Sequence, residues 1–160
     1  MMRWPLTFFT DALPEGRAGV TQGPVIRIRP RYRNDEGLYR HEYAHVKQFF
    51  VMWAVLMAVN VPLAWLAAGW WLPFASAAAV EPWTVAVTVV AWCSAGHPLL
   101  YLYSRRYRQY AEAAAYREQT RWPDGQGGQL SLDDAAARLA LPLYNLGITA
   151  EQAKAALLEG

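Results

Sequence analysis

Charged positions vanish from the middle of this chain. From Phe49 to Val80 there is none, and after Glu81 there is none again from Pro82 to Ser104. Each run exceeds the ~20 residues that a helix needs to cross a hydrocarbon layer. The pattern therefore predicts a hairpin of two membrane spans, at about 49–72 and 83–104. Trp70 and Trp71 close the first run and Trp83 opens the second, where an interfacial aromatic belt would stand. Pro73 and Glu81 bracket the connecting turn. Asn60 and His97 are the polar interruptions, at matched distances from the open end of the hairpin. They either hydrogen-bond across it or satisfy themselves locally near Pro62 and Pro98.

The flanks are patterned differently. Gly23-Pro24 opens a short β run, Val25 to Arg29, in which Val25, Ile26 and Ile28 are interleaved with arginines, and Pro30 stops it. Asn34-Asp35-Glu36-Gly37 turns the chain into the next helix. After Pro123 the sequence Asp124-Gly125-Gln126-Gly127-Gly128 reads as a linker. Ser131 with Asp134, and Thr149 with Gln152, are capping signals for two short amphipathic helices at about Leu132–Ala140 and Ala150–Glu159. The expected architecture is mainly α and integral to a membrane: a two-span hairpin flanked by a short N-terminal strand and a small C-terminal helical pair. Residues 1–122 form the main unit, 123–130 the linker and 131–160 the tail.

Charge sets an orientation. Arg27, Arg29, Arg31, Arg33, Arg40, Lys47, Arg105, Arg106 and Arg108 all lie at the open end of the hairpin, whereas the turn carries only Glu81. The positive-inside rule places both termini in the cytoplasm. A net charge of +2 is too small to point to nucleic acid. The single cysteine, Cys93, excludes an intramolecular disulfide. Met1 to Gly16 holds Pro5, Asp11 and Glu15 and only a very short apolar run, so insertion is expected to rely on the hairpin and not on a cleavable signal.

The chemistry lies in His41-Glu42-Tyr43-Ala44-His45, which contains two of the three histidines of the chain. A helix puts residues i and i+4 on one face, so His41 and His45 can grip one zinc ion. Glu42 can then take a proton from a water at the open position of the metal. A third ligand is required, and Glu112 is the candidate, set among alanines that let two helices approach closely. The ordinary alternative is a surface pair with Arg108, one turn earlier. Glu118, flanked by Arg117, Gln119 and Arg121, reads as solvated surface. At 1.5 Å per residue the arms from His45 to Trp71 and from Trp83 to Glu112 are ~39 and ~44 Å long. The returning arm, if helical throughout, brings Glu112 back to the level of His45, just outside the membrane.

In these residues the chain resembles the gluzincin metallopeptidases, whose zinc is bound by the two histidines of HExxH and a downstream glutamate. Two membrane helices between those elements look like the group that holds the CAAX prenyl proteases and the bacterial membrane stress proteases. A strand, HExxHVxQ and then Glu-x-x-Ala-Tyr is also similar to the minigluzincins, small relatives that include phage-encoded members. The resemblance covers about residues 24 to 119. It implies a zinc endopeptidase of a bacterial or phage-encoded inner-membrane protein, acting on peptides or membrane proteins, with its site on the cytoplasmic face. Those relatives usually carry Glu-x-x-Ala-Asp, and the aspartate is Tyr116 here.

Such a peptidase stabilises its oxyanion with an electrophilic group, for which Tyr110, Tyr116 and Arg108 are the candidates. The strand Val25, Ile26, Arg27, Ile28 and Arg29 either offers its edge to an extended substrate or only covers the helix. The tail is expected to pack over the catalytic face, with a gate or a docking module for a partner as alternatives. The reading from a different class is a non-enzymatic hairpin in which zinc staples two helices and serves an assembly role. An intramembrane protease of the site-two type is disfavoured, because Arg33 to Arg40 precede HExxH and place it at the surface.

Overall fold

The computed structural model describes residues 5–71 and 82–159. Three short strands come first: β1 (Leu6–Phe9), β2 (Gly19–Gln22) and β3 (Val25–Ile28). A 3-10 turn at Pro30–Tyr32 leads into α1 (Glu36–Trp71), and α2 (Pro82–Tyr103) and α3 (Arg105–Gln119) follow. The tail holds α4 (Leu132–Leu139), a 3-10 turn at Pro142–Tyr144 and α5 (Ala150–Leu158).

The sheet order is β1-β3-β2, with β1 parallel and β2 antiparallel to β3. Gly23, at φ +58, occupies the first place of the two-residue hairpin between β2 and β3, a conformation that a side chain would strain. Period-two spacing puts Ile26 and Ile28 on one face, where they are buried against Leu38 and Val46 of α1. This corrects one expectation. Val25–Arg29 is the centre of the sheet and has strands on both sides, so it has no free edge. The strands β1 and β2 escaped the sequence reading because neither carries an alternation like the Ile-Arg-Ile-Arg of residues 26–29.

Two of the described helices are long and apolar enough to cross a membrane, within Glu36–Leu66 and Trp83–Tyr103. Their outer surfaces carry large exposed apolar side chains, among them Val51, Leu63, Trp65, Trp83 and Trp92. Such a surface is foreign to water. The helices meet closely at Gly96, where an added Cβ would collide with Leu56. The turn with Pro73 and Glu81, and the side chains of Trp70 and Trp71, lie outside the described residues.

One further correction concerns the arms, and one open alternative is decided. The returning arm is not one helix: it breaks at Ser104, which is extended (φ −104, ψ 104) and caps α3 by accepting from the Tyr107 N–H at 3.2 Å. Arg108 takes over the freed carbonyls at the end of α2, donating to Tyr101 O at 2.7 Å and Leu102 O at 2.5 Å. Asn60 and His97 do not pair. The Asn60 amide donates to Leu56 O one turn back at 2.8 Å, and His97 Nε2 is buried without a partner.

The tail packs on α3. Ala113 and Tyr116 share a core with Ala135, Leu139, Leu146, Ala153 and Leu157. Both predicted caps form: Ser131 accepts from Asp134 N at 3.0 Å, and Thr149 and Gln152 make a capping box.

Candidate metal centre

His41 and His45 share the inner face of α1 one turn apart, and α3 brings Glu112 against them. His41 Nε2 lies 3.6 Å from Glu112 Oε2, and His45 Nε2 lies 3.7 Å from Oε1. These distances are too long for hydrogen bonds. Ligands at ~2.0–2.1 Å from one zinc at tetrahedral angles stand about 3.3 Å apart, which is close to what is seen. Ligand atoms from all three residues lie within 4.8 Å of one another, so the group could hold a metal ion. Glu112 is 1% exposed, and its Oε2 and His41 Nδ1 lack hydrogen-bond partners. The Oε2 atom faces His41 Nε2 and is one that a cation would satisfy, whereas Nδ1 is the other ring nitrogen of His41 and would still need a partner. Burial alone would push the Glu112 carboxyl up, but the imidazoles beside it outweigh burial and hold it well below the usual carboxylate range.

The surroundings orient the three groups. His45 Nδ1 bonds Gln48 Oε1 at 2.9 Å, and the Gln48 amide donates to Ala111 O at 2.9 Å, tying α1 to α3. This leaves Nε2 of His45 facing Glu112. The Tyr101 hydroxyl, at the end of α2, donates to Glu112 Oε1. Glu42 is 5% exposed and is held from the sheet side. The Thr21 hydroxyl approaches Glu42 Oε2 at 2.7 Å and its carbonyl oxygen at 3.0 Å. Gly19 leaves the room, since a Cβ there would stand 2.6 Å from Glu42 Oε1.

Of the three oxyanion candidates, none donates to a ligand. Tyr110 is 65% exposed. Arg108 is occupied with backbone carbonyls, including Tyr144 O at 3.1 Å, and makes no pair with Glu112. Tyr116 sits edge-on to His41, with ring centroids 4.6 Å apart, and its hydroxyl bonds that of Tyr144 at 2.6 Å. Burial pushes the Tyr116 phenol up to about 12, so it stays neutral. Arg29, read as substrate-binding, instead holds the β1–β2 loop, donating to the carbonyls of Asp11, Leu13, Pro14 and Arg17.

The ligands and Glu42 line a cleft of about 1310 Å³, walled by β2 on one side and by Leu141, Leu143 and Tyr144 of the tail on the other. Sequence reasoning gave no role to Tyr101, Thr21 and Gly19, and saw Gln48 only as the last position of HExxHVxQ. Gln48 alone carried a signal, standing three residues after His45 on the same helical face. No known protein family, curated protein or solved structure matches this chain.

Proposed function

We propose that this chain is a zinc-dependent endopeptidase of the gluzincin kind, set in a membrane by α1 and α2 and acting at its cytoplasmic surface. The observation that carries the proposal is the convergence of His41, His45 and Glu112 in a cleft, with Glu42 fixed beside them. Zinc held there supplies a Lewis acid that polarises the scissile carbonyl and acidifies water. Glu42 takes the proton of the attacking water and passes it to the leaving nitrogen. Gln48 and Tyr101 keep His45 and Glu112 in place. The substrate strand is assigned to the edge of β2 and not to Val25–Arg29. The Arg29 N–H donates to Ala18 O at 2.9 Å, so ladder alternation leaves the amides of Gly19 and Thr21 on the free side. An extended peptide, free or part of a membrane protein, would add there as a further strand.

Purified in detergent, the protein is expected to cleave an unstructured peptide library. A strong chelator should abolish cleavage, and about one equivalent of zinc should restore it. Cleavage that survives complete metal removal, or no cleavage at full zinc occupancy, sinks the proposal.

Topology has its own test. Single cysteines at Ser76 and Ser131, in a Cys93→Ser background, are offered to an impermeant thiol reagent on intact cells. Labelling at position 76 alone is expected. Labelling at 131 with protection of 76 reverses the orientation, and labelling of both in protein that washes off membranes removes the spans.

A further inference from the structure

The loop between β1 and β2 puts a cation in the cleft that the metal centre does not use. Arg17 lines the cleft with its guanidinium over the Tyr144 ring, 5.5 Å from the centroid, and Nη2 donates to Leu143 O at 3.4 Å. Its backbone is clamped: the carbonyl accepts from Arg29 Nε at 2.8 Å, and the N–H donates to Pro14 O at 3.2 Å. The side chain thus projects from a fixed base, and most of its five N–H donors are unused. Among the described residues the arginines in ion pairs are Arg29, Arg40 and Arg121, and Arg17 has no carboxylate at that range. The other cleft arginines are engaged differently: Arg31 lies over the Tyr32 ring at 4.8 Å, and Arg138 neighbours Asp35.

The position relative to the metal ligands follows from three rings. Tyr144 bonds Tyr116 through their hydroxyls, and Tyr116 abuts His41. The guanidinium therefore stands two aromatic rings from a ligand. An extended chain, advancing ~3.3 Å per residue, covers that interval in a few residues. The planar fork of a guanidinium matches a carboxylate in bidentate fashion, and a half-buried fork gains more from it than one in bulk water.

We infer that Arg17 is a specificity-determining residue that holds a carboxylate of the substrate a few residues from the scissile bond. The inference rests on the peptidase reading and names the substrate class of that cleft: peptides with an acidic side chain, or a free C-terminus, at that spacing. Leu141 and Leu143 on the same wall take the apolar parts of the chain.

The test uses peptides of one length that carry Glu, Gln or Lys at each position in turn, with free or amidated C-termini. Full-length zinc-loaded protein in detergent is expected to show a Glu over Gln ratio in kcat/KM of ~10 or more at one position, or the same gain for a free over an amidated end. The two arms tell side chain from terminus. The ratio should collapse to near one in Arg17→Gln, survive in part in Arg17→Lys, and turn towards Lys in Arg17→Glu. A residue that merely shaped the loop would not reverse the charge preference. Cleavage without a carboxylate preference, or a preference that persists in Arg17→Glu, overturns the inference and leaves the peptidase standing. The same peptides are titrated by fluorescence anisotropy against Glu42→Gln protein, alone and combined with the Arg17 variants. If nothing is cleaved but binding follows the Arg17 charge, the peptidase reading falls and carboxylate recognition stands. If nothing is cleaved and nothing binds with that pattern, both fall.

Discussion

Glu42→Gln is expected to keep about one zinc per chain and to lose ~100-fold or more of peptide-cleaving kcat, the scale of a lost general base. The substitution is nearly isosteric, and its surroundings favour retention of the fold. The amide oxygen can still accept from Thr21, and the space above Gly19 still admits the side chain. What is lost is the capacity to accept a proton. Metal analysis beside single-turnover cleavage separates the two effects. This variant also divides the peptidase from the stapled hairpin, because a structural site needs its ligands and has no use for a base. Wild-type behaviour of Glu42→Gln, with zinc in place and no substrate cleaved by either protein, makes the staple the better account.

Glu112→Ala and His45→Ala should each purify with less than about a tenth of the wild-type zinc, since three protein ligands are the minimum for a catalytic site. The two variants differ in their collateral damage. Removing Glu112 leaves the Tyr101 hydroxyl and both imidazoles facing an empty buried space. Removing His45 frees Gln48, whose other bond to Ala111 O keeps the helices together. Removing His45 also takes from the buried Glu112 carboxylate the imidazole that most offsets its burial, so His45→Ala is expected to melt lower than Glu112→Ala once both are metal-free. Full zinc occupancy in Glu112→Ala would falsify that ligand and move the search to Glu118.

How far the sequence could be read depends on the range of the forces involved. Helix periodicity and capping are local, so the HExxH face, the capping box at Thr149 and the long apolar runs were plain in the residues. The sheet was half visible. Val25–Ile28 announced itself by alternation that runs on into Arg29, but its partners Leu6–Phe9 and Gly19–Gln22 lack that pattern and exist because a neighbour pairs with them. The break at Ser104 was hidden for a related reason. Its cap is ordinary, but the guanidinium that makes it tolerable comes from Arg108, a residue read as an oxyanion candidate and, in the alternative, as a surface partner for Glu112. Tyr101 looked like one more aromatic in an apolar run until the break folded α3 back beside it. Glu112 was legible as a candidate, and the full extent of its burial was not, because His41, His45 and Tyr101 close over it only once α3 lies against α1 and α2.

With α1 and α2 set in a membrane, as proposed above, the joint at Ser104 has a consequence for how the protein meets lipid. Between α2 and α3 the backbone ladder is interrupted and the joint is held by the Ser104 cap and the Arg108 guanidinium, so the two helices are not a single rigid rod. A span that meets a thicker or thinner hydrocarbon layer adjusts by changing its tilt. In an unbroken arm that rotation would swing Glu112 through the long lever of α2. Here the swing is taken up at an extended residue, while Gln48 and the tail hold α3 against α1. On that reading, the relative placement of α1 and α3 is expected to change little between bilayers of different thickness, and only the Tyr101 bond to Glu112 carries the tilt of α2 to the site.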